Sequence, residues 1–219
     1  MPKTAILLGA SGATGGEVLQ LLLKDNRYNK VKLFSRSPID INNTKIEEHI
    51  INMFELDKQV ANFTADDVFC CIGTTKAQTP DKKTYYKIDY GIPATAAILA
   101  KENGVQNFIV VSAIGADKDS SIFYNRTKGE MQEAVLNEDI ANTHLLQPSL
   151  IVAKRKDSRI MEKFAAGFMQ LLNPLLFGGA AKFKSIKASA IAKTMIWLAN
   201  NSYPEVIVTS DKIAEIAEM

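Results

Sequence analysis

Short apolar runs alternate with amphipathic stretches along most of the chain. Because the runs lack alternating polar positions, they are typical of strands buried on both faces. The predicted strands are Thr4–Gly9, Val31–Phe34, Lys45–Asn52, Asp67–Ile72, Asn107–Ser112, Thr143–Gln147 and Glu205–Thr209. The predicted helices are Thr14–Lys24, Pro93–Asn103, Phe123–Asn137, Arg159–Leu172, Lys187–Asn200 and a final helix. This alternation predicts an α/β fold with a doubly wound parallel sheet, in one domain over residues 1–219.

A glycine-rich turn follows the first predicted strand and opens the first predicted helix. Gly9 permits a tight turn, Gly12 lets the backbone approach a pyrophosphate, and Gly15 allows close packing of helix on strand. The free N–H groups of the helix N-terminus favour phosphate. We therefore predict an NAD(P)-binding Rossmann fold rather than an incidental glycine-rich turn. The contacts expected from this turn are Gly9, Ser11, Gly12, Ala13, Thr14 and Gly15.

The end of the second predicted strand indicates which dinucleotide binds. NAD-binding proteins usually carry a carboxylate here, which holds the ribose hydroxyls. This chain has Ser35, Arg36 and Ser37 instead, and Arg36 is suited to pair with a 2′-phosphate. The alternative is an exposed surface arginine. We predict NADP(H) as the cofactor, with NAD(H) less favoured.

Several motifs together resemble one family. The G-x-x-G-x-x-G spacing is similar to that of extended and atypical short-chain dehydrogenase/reductases. Four further segments resemble the Tat-interacting-protein-like oxidoreductases, an atypical branch of that superfamily. They are Asp67–Thr75, Val111–Lys118, Tyr124–Glu130 and Gln147–Leu150. The resemblance covers most of residues 1–150.

The resemblance implies further cofactor contacts. Asn52 and Leu56 match the positions that flank the adenine, although Asn52 replaces the usual aspartate. Its amide oxygen still accepts a hydrogen bond from the adenine amine. The matched positions at the ribose and pyrophosphate are Gly73 and Thr74, and those beside the nicotinamide are Pro148 and Leu150.

The resemblance also implies a catalytic set. Tyr124 and Lys128 are four residues apart on a predicted helix and so share one face. In short-chain dehydrogenases such a lysine lowers the tyrosine pKa and holds the nicotinamide ribose, and the tyrosine exchanges a proton with the substrate. Ser112 matches the serine that polarises the substrate carbonyl. Many relatives have two serines here, the second being catalytic, whereas this chain has Ser112 followed by Ala113.

Residues 150–190 interrupt the alternation and form a predicted substrate-side lobe. Basic residues at 154–163 and 182–187 flank the apolar segment Phe164–Ala181. One interpretation is an apolar pocket with a basic rim, suited to a hydrophobic or anionic carbonyl compound. A second is a helix that packs Phe164 and Leu171 on the core, and a third is a peripheral membrane contact by Leu175–Phe177.

Composition narrows the remaining possibilities. The net charge of +2 does not favour nucleic acid, and the chain lacks an uninterrupted apolar run long enough to span a membrane. Adjacent Cys70 and Cys71 predict thiols rather than a disulfide or a zinc site. His49 and His144 are interpreted as structural, so no metal is expected. With no recognisable signal peptide, we expect a cytoplasmic protein.

These observations lead to two functional hypotheses. The first is an NADP(H)-dependent oxidoreductase that acts on a small carbonyl or alcohol. The second is a regulatory protein that binds NADP(H) and a protein partner without turnover, as some members of this branch do. Neither the substrate nor the oligomeric state follows from the sequence.

Overall fold

A parallel sheet organises the computed structural model, which describes residues 2–152 and 184–219. Its seven strands are β1 Lys3–Leu8, β2 Tyr28–Ser35, β3 Ile46–Ile50, β4 Asp67–Cys70, β5 Asn107–Val111, β6 Asn142–Gln147 and β9 Ile207–Thr209. They lie in the order β3-β2-β1-β4-β5-β6-β9, and every neighbouring pair is parallel. A separate parallel pair joins β7 Ile151–Val152 to β8 Ile186–Lys187.

Helices cover both faces of the sheet. They are α1 Ala13–Lys24, α2 Lys82–Tyr86, α3 Ile92–Glu102, α4 Phe123–Asn137, α5 Ala188–Leu198 and α6 Ser210–Ile216. Leu7 of β1 packs in one core with side chains of α1, α5 and α6. Its neighbours Ile6 and Leu8 pack in a second core with α3, α4 and a 3-10 segment at Met53–Asn62. Successive residues of one strand thus face opposite cores, which confirms the doubly wound parallel sheet.

One helix begins earlier than the sequence pattern predicts. The predicted start was Pro93, whereas α2 begins at Lys82 and continues into α3 through a π turn at Lys87–Gly91. Within this turn the Ile92 N–H bonds to the Lys87 carbonyl, five residues back. A proline has no N–H and its ring crowds the carbonyl four residues earlier, so the wider turn lets the helix pass through Pro93.

The predicted substrate-side lobe lies almost entirely outside the described residues. This applies to the predicted helix at Arg159–Leu172, the apolar segment and the basic positions between 154 and 182. The three interpretations of that segment remain predictions.

Both cysteines are free thiols. Cys70 is fully buried at the end of β4, and burial raises its pKa to about 11. Burial also raises the pKa of Cys71 well above its ordinary value. Neither thiol is activated as a nucleophile, because reactive cysteines have lowered pKa values.

Candidate functional site

The order of the strands places a crevice where the loops after β1 and β4 diverge. From β1 the chain winds outward to β2 and β3, and it then returns to add β4 on the other side of β1. Ligands of doubly wound sheets bind at such a switch point, beyond the carboxyl ends of the strands. At their first residues, directly after the two strands, the loops are still in contact, since a Cβ added at Gly9 would lie 2.8 Å from the Cys71 carbonyl oxygen.

Backbone crowding explains why glycines occupy the turn after β1. Gly9 has a φ of +87°, which is strained for residues with a side chain. A Cβ on Gly15 would lie 2.1 Å from the Gly9 carbonyl oxygen, so only glycine lets α1 start this close to the turn. The Gly12 N–H closes the turn by donating to that same carbonyl at 2.9 Å.

The N-terminus of α1 fits a phosphate group. Gly12 is the N-cap residue, and no side chain caps the helix by a hydrogen bond. The first turn contains no acidic residue that would repel an anion. The free N–H groups and the positive end of the helix dipole are therefore available to a dinucleotide pyrophosphate. The predicted contacts Ser11, Ala13 and Thr14 lie in this same segment.

The residues predicted to read the 2′-phosphate follow β2. Ser35 donates its hydroxyl to the Ser37 carbonyl at 2.8 Å, which shapes the loop. Arg36 and Ser37 are exposed. Among the described residues, the Arg36 guanidinium has no hydrogen bond or ion pair, so it is free to bind a phosphate.

The two residues predicted to flank the adenine lie in different surroundings. Asn52 is exposed and caps the 3-10 segment, where its side chain accepts from the Phe54 N–H at 3.1 Å. Leu56 is only 1% exposed and packs in the core with Phe34 and Phe63. Their contacts with adenine remain predictions.

A buried ion pair lies beneath the loop after β4. The Lys128 ammonium is 2.8 Å from Oδ1 of Asp89, and both side chains are almost fully buried. Oδ2 of Asp89 accepts from the Thr74 N–H, also at 2.8 Å. Oδ1 has no well-aligned hydrogen-bond donor among the described residues, so its contact with Lys128 is electrostatic. A Cβ on Gly73 would lie 3.6 Å from Asp89 Oδ1 and 3.7 Å from Lys128 Nζ.

Tyr124 lies one helical turn before Lys128 on α4. Tyr124 is 41% exposed, and its partial burial raises the pKa of the phenol. Lys128 lowers the pKa of this phenol, and Asp89 raises it. The described structure thus brings Tyr124, Lys128, Gly73 and Thr74 together at the crevice, with Asp89 as an additional member.

Ser112 points its hydroxyl into a buried hydrogen-bond chain. Gln132, one turn beyond Lys128 on α4, donates to the Ser112 hydroxyl at 2.6 Å. Gln147 in turn donates to Gln132 at 3.3 Å. Ser112 is 5% exposed, and the next residue, Ala113, is 6% exposed. The hydroxyl at this position is therefore engaged in packing α4 against β5 and β6.

The residues predicted beside the nicotinamide follow β6. Pro148 is buried, and its carbonyl accepts from the Ile114 N–H at 3.0 Å, joining the loops after β5 and β6. Leu150 is 44% exposed. Between them, Ser149 is hydrogen-bonded to Ser210 at the start of α6.

The prediction from sequence missed Asp89 and Gln132. Asp89 lies in the π turn, upstream of where the helix was predicted to begin. A signal for the true start was available in Asp81, which follows a proline and caps the helix by accepting from the Thr84 N–H at 2.7 Å. Starting the helix there places Asp89 on a long helix beside the site.

The described residues also bear on metal binding and on membrane insertion. Within residues 2–152 and 184–219, His, Cys, Asp and Glu side chains form no group of three or more that could hold a metal ion. None of the helices in this part of the chain combines the length and the apolar character needed to cross a membrane.

The fold and the glycine turn define an NAD(P)-binding Rossmann protein. A family model described as NAD(P)H-binding matches residues 9–151, and the chain belongs to this family. Protein HTATIP2 of Rattus norvegicus is 31% identical over 170 residues, covering 76% of this chain and 70% of that protein. The predicted resemblance is therefore confirmed.

Solved structures show the same fold. ElxO with NADP bound has a TM-score of 0.71 at 14% identity, covering 98% of this chain and 100% of that chain. UDP-glucose 4-epimerase from Thermotoga maritima, with UDP-glucose, has a TM-score of 0.70 at 11% identity. It covers 98% of this chain and 81% of that chain.

The predicted cytoplasmic location is wrong. Protein FMP52-1 of Scheffersomyces stipitis is 30% identical over 184 residues, covering 80% of both chains, and its name describes it as mitochondrial. Related proteins of Debaryomyces hansenii and Aspergillus niger carry the same description. The prediction relied on the lack of a recognisable signal peptide, and this feature reports on secretion rather than on the choice among internal compartments.

Proposed function

We propose that the chain is an NADP(H)-dependent oxidoreductase that acts on a small carbonyl or alcohol. The observation that carries this proposal is the cluster of Tyr124, Lys128 and Asp89 beneath the loop after β4, at Gly73. When bound, the dinucleotide would supply or accept a hydride at this crevice. Tyr124 would exchange the proton with the substrate oxygen, and Lys128 would hold the adjacent ribose.

The preference for the phosphorylated cofactor rests on the loop after β2. Arg36 is a free, exposed guanidinium among the described residues, and its neighbours at the end of β2 are Ser35 and Ser37 rather than a carboxylate. A guanidinium pairs well with phosphate because its planar N–H groups form two parallel hydrogen bonds. That ElxO binds NADP and MoeE5 binds NAD is consistent with either cofactor in this fold.

A regulatory protein that binds NADP(H) and a partner without turnover is a second candidate. The observation that favours it is the Ser112 hydroxyl, which is buried and bonded to Gln132. With Ala113 next to it, the described site has no serine free to polarise a carbonyl at this position.

Substrate turnover tests the two candidates against each other. The wild-type protein is incubated with NADPH and a panel of aldehydes and ketones, and the loss of NADPH is followed by absorbance. For an oxidoreductase, Tyr124→Phe should lower single-turnover NADPH oxidation by roughly 10²–10⁴, with little change in NADPH affinity. The control is Tyr203→Phe, because Tyr203 bonds to Glu205 on the surface beyond α5.

The outcome separates the candidates. If NADPH binds but no carbonyl in the panel is reduced, the regulatory function is favoured. If turnover occurs at an unchanged rate in Tyr124→Phe, the oxidoreductase assignment survives but Tyr124 does not take part in proton transfer.

A further inference from the structure

The Asp89 carboxylate is buried within the proposed site, yet the Tyr–Lys chemistry does not require it. We propose that Asp89 is a positioning residue that fixes the Lys128 ammonium and offsets its effect on the Tyr124 phenol, so that the phenol stays protonated and can donate to a carbonyl. This inference rests on the proposed oxidoreductase function. It adds to that function a residue that controls the pH range in which Tyr124 can donate a proton.

The ion pair is held in a fixed geometry. Asp89 Oδ1 and Lys128 Nζ are 2.8 Å apart, with 1% and 5% of their side chains exposed. The Thr74 N–H holds the other carboxylate oxygen, so the acid cannot turn away from the lysine without losing a buried hydrogen bond. The ammonium is thereby fixed one helical turn from Tyr124.

The Asp89–Lys128 pair also affects the titratable groups around it. An isolated ammonium beside a phenol would stabilise the phenolate, but a carboxylate in contact with that ammonium opposes this effect. The other titratable groups that the pair reaches among the described residues are Tyr85 on α2 and Cys70 on β4. Burial raises the pKa of both, so they stay neutral near pH 7 and add no charge to those of Asp89 and Lys128.

A protonated Tyr124 phenol can supply the proton for carbonyl reduction. In carbonyl reduction by a reduced nicotinamide, the C=O π bond breaks while one C–H and one O–H bond form. The hydride is the reductant's, and the proton comes from the Tyr124 hydroxyl. The phenolate left behind lies near Lys128 and is reprotonated by water, because 41% of Tyr124 is exposed. Alcohol oxidation starts from the phenolate, so the Asp89 charge moves that reaction to higher pH.

The test is a direct titration of the Tyr124 phenol, without cofactor or substrate. The chain has six tyrosines, so subtracting the near-ultraviolet titration of Tyr124→Phe isolates the signal of this one. Asp89→Asn keeps the size of the side chain and an acceptor for Thr74 while removing the charge. The Tyr124 transition should then move to lower pH by roughly 1–3 units.

A matched control is Asp81→Asn. It removes the same charge from the start of the same helix, where Asp81 is exposed and asparagine caps a helix equally well. The Tyr124 transition should not move in this variant. An equal shift in both variants, or none in a folded Asp89→Asn protein, would overturn the inference.

A double variant covers the case in which Asp89→Asn leaves an uncompensated lysine and does not fold. In Asp89→Asn with Lys128→Met, both charges are absent, so the Tyr124 transition should stay close to that of the parent. If Asp89 has no influence, the transition should instead rise as far as in Lys128→Met alone, and this would contradict the inference.

The inference and the proposed function can fail separately. In an active enzyme, Asp89→Asn should make carbonyl reduction decline at a lower pH, because the reaction needs the protonated phenol. A shifted titration in a protein that reduces no carbonyl would count against the proposed function alone. An unshifted titration in an active enzyme would count against the role of Asp89 alone.

Discussion

Two buried aspartates lie near opposite ends of the sheet and are satisfied to different degrees. Asp67 is the first residue of β4, and Asp89 lies beneath the loop that follows the other end of that strand. Both are at most 1% exposed. Asp67 is fully hydrogen-bonded, whereas Oδ1 of Asp89 has only the electrostatic contact with Lys128 among the described residues.

The partners of Asp67 come from the first residues of three other strands. Lys3 of β1 lies 3.1 Å away, the Tyr28 hydroxyl of β2 donates at 2.5 Å, and Asn107 of β5 donates at 2.6 Å. These contacts join four adjacent strands at their amino ends. A charge with so many partners stabilises the fold and has no capacity left for a ligand.

The contrast between the two aspartates distinguishes a buried charge that supports the fold from one that serves a functional site. A buried carboxylate with spare hydrogen-bonding capacity is costly, and proteins retain such groups mainly at functional sites. Asp89 meets this description and Asp67 does not. The following predictions test whether the amino end of the sheet controls stability while the carboxyl end controls binding.

The largest effect is expected for Asp67→Ala. Removing the acid leaves the Lys3 ammonium and the Tyr28 hydroxyl without their partner, which should lower the free energy of unfolding by about 3–5 kcal/mol. Urea unfolding followed by circular dichroism measures this loss. The folded fraction should still bind dinucleotide with the parental affinity, and weakened binding would show that the two ends are coupled.

Gly12→Val should have the opposite effect, leaving the protein folded but abolishing dinucleotide binding. The Gly12 backbone is extended, with φ −80° and ψ 170°, so valine can adopt it, although its Cβ would lie 3.2 Å from the Gly9 carbonyl. The side chain would fill the space that a pyrophosphate needs, so dinucleotide binding should be lost.

A fluorescence titration with NADPH measures that loss. The control is Gly91→Val, since an added Cβ at Gly91 has no neighbour within 4 Å. Normal binding by a folded Gly12→Val protein would place the dinucleotide elsewhere.

Arg36→Ala should have a smaller and selective effect. Loss of a charge-assisted hydrogen bond costs about 1.5–3 kcal/mol, so NADPH affinity should fall by roughly 10- to 150-fold. NADH affinity should stay almost unchanged, because NADH lacks the 2′-phosphate. Parallel titrations with the two cofactors provide the measurement, and equal losses for both would refute the assigned role of Arg36.

The smallest effect concerns His144 of β6, whose Nδ1 lies 3.0 Å from the Glu205 carbonyl. Burial lowers its pKa from the usual 6.5. The unfolded chain therefore binds a proton more readily, and stability should be fully present above pH 6.5 and fall as the pH drops towards the folded pKa.

The size of this effect is about 1.4 kcal/mol for each unit of pKa difference. His144→Asn keeps a donor near the Glu205 carbonyl but does not titrate. Comparing the two proteins by thermal unfolding between pH 7 and pH 5 should show a flatter pH dependence for the variant. Identical slopes would mean that other groups control stability in this range.

The sequence was sufficient to predict features that depend on local spacing. The buried strands follow from apolar runs, and the glycine turn follows from three glycines at fixed intervals after a strand. Tyr124 and Lys128 could be paired because they are four residues apart on one helix. Each of these relations is encoded within a short segment and needs no knowledge of tertiary contacts.

Relations between distant segments were not accessible in this way. Asp89 and Lys128 are far apart in sequence, and their contact depends on a helix that continues through Pro93. The hydrogen bond between Ser112 and Gln132 likewise depends on how α4 packs on β5. Sequence placed Ser112 at the end of a strand, but only packing shows where its hydroxyl points.

The π turn at Lys87–Gly91 changes the angular phase of the helix that contains it. An α-helix advances about 100° per residue, so one additional residue in a turn rotates everything downstream by about that angle relative to an unbroken helix. Tyr85 and Asp89 can thus face the crevice while Ala96 and Ala100 face the core. In an unbroken α-helix these four positions, at spacings of four, seven and four residues, would share one face, so the π turn is what gives the helix two separate surfaces.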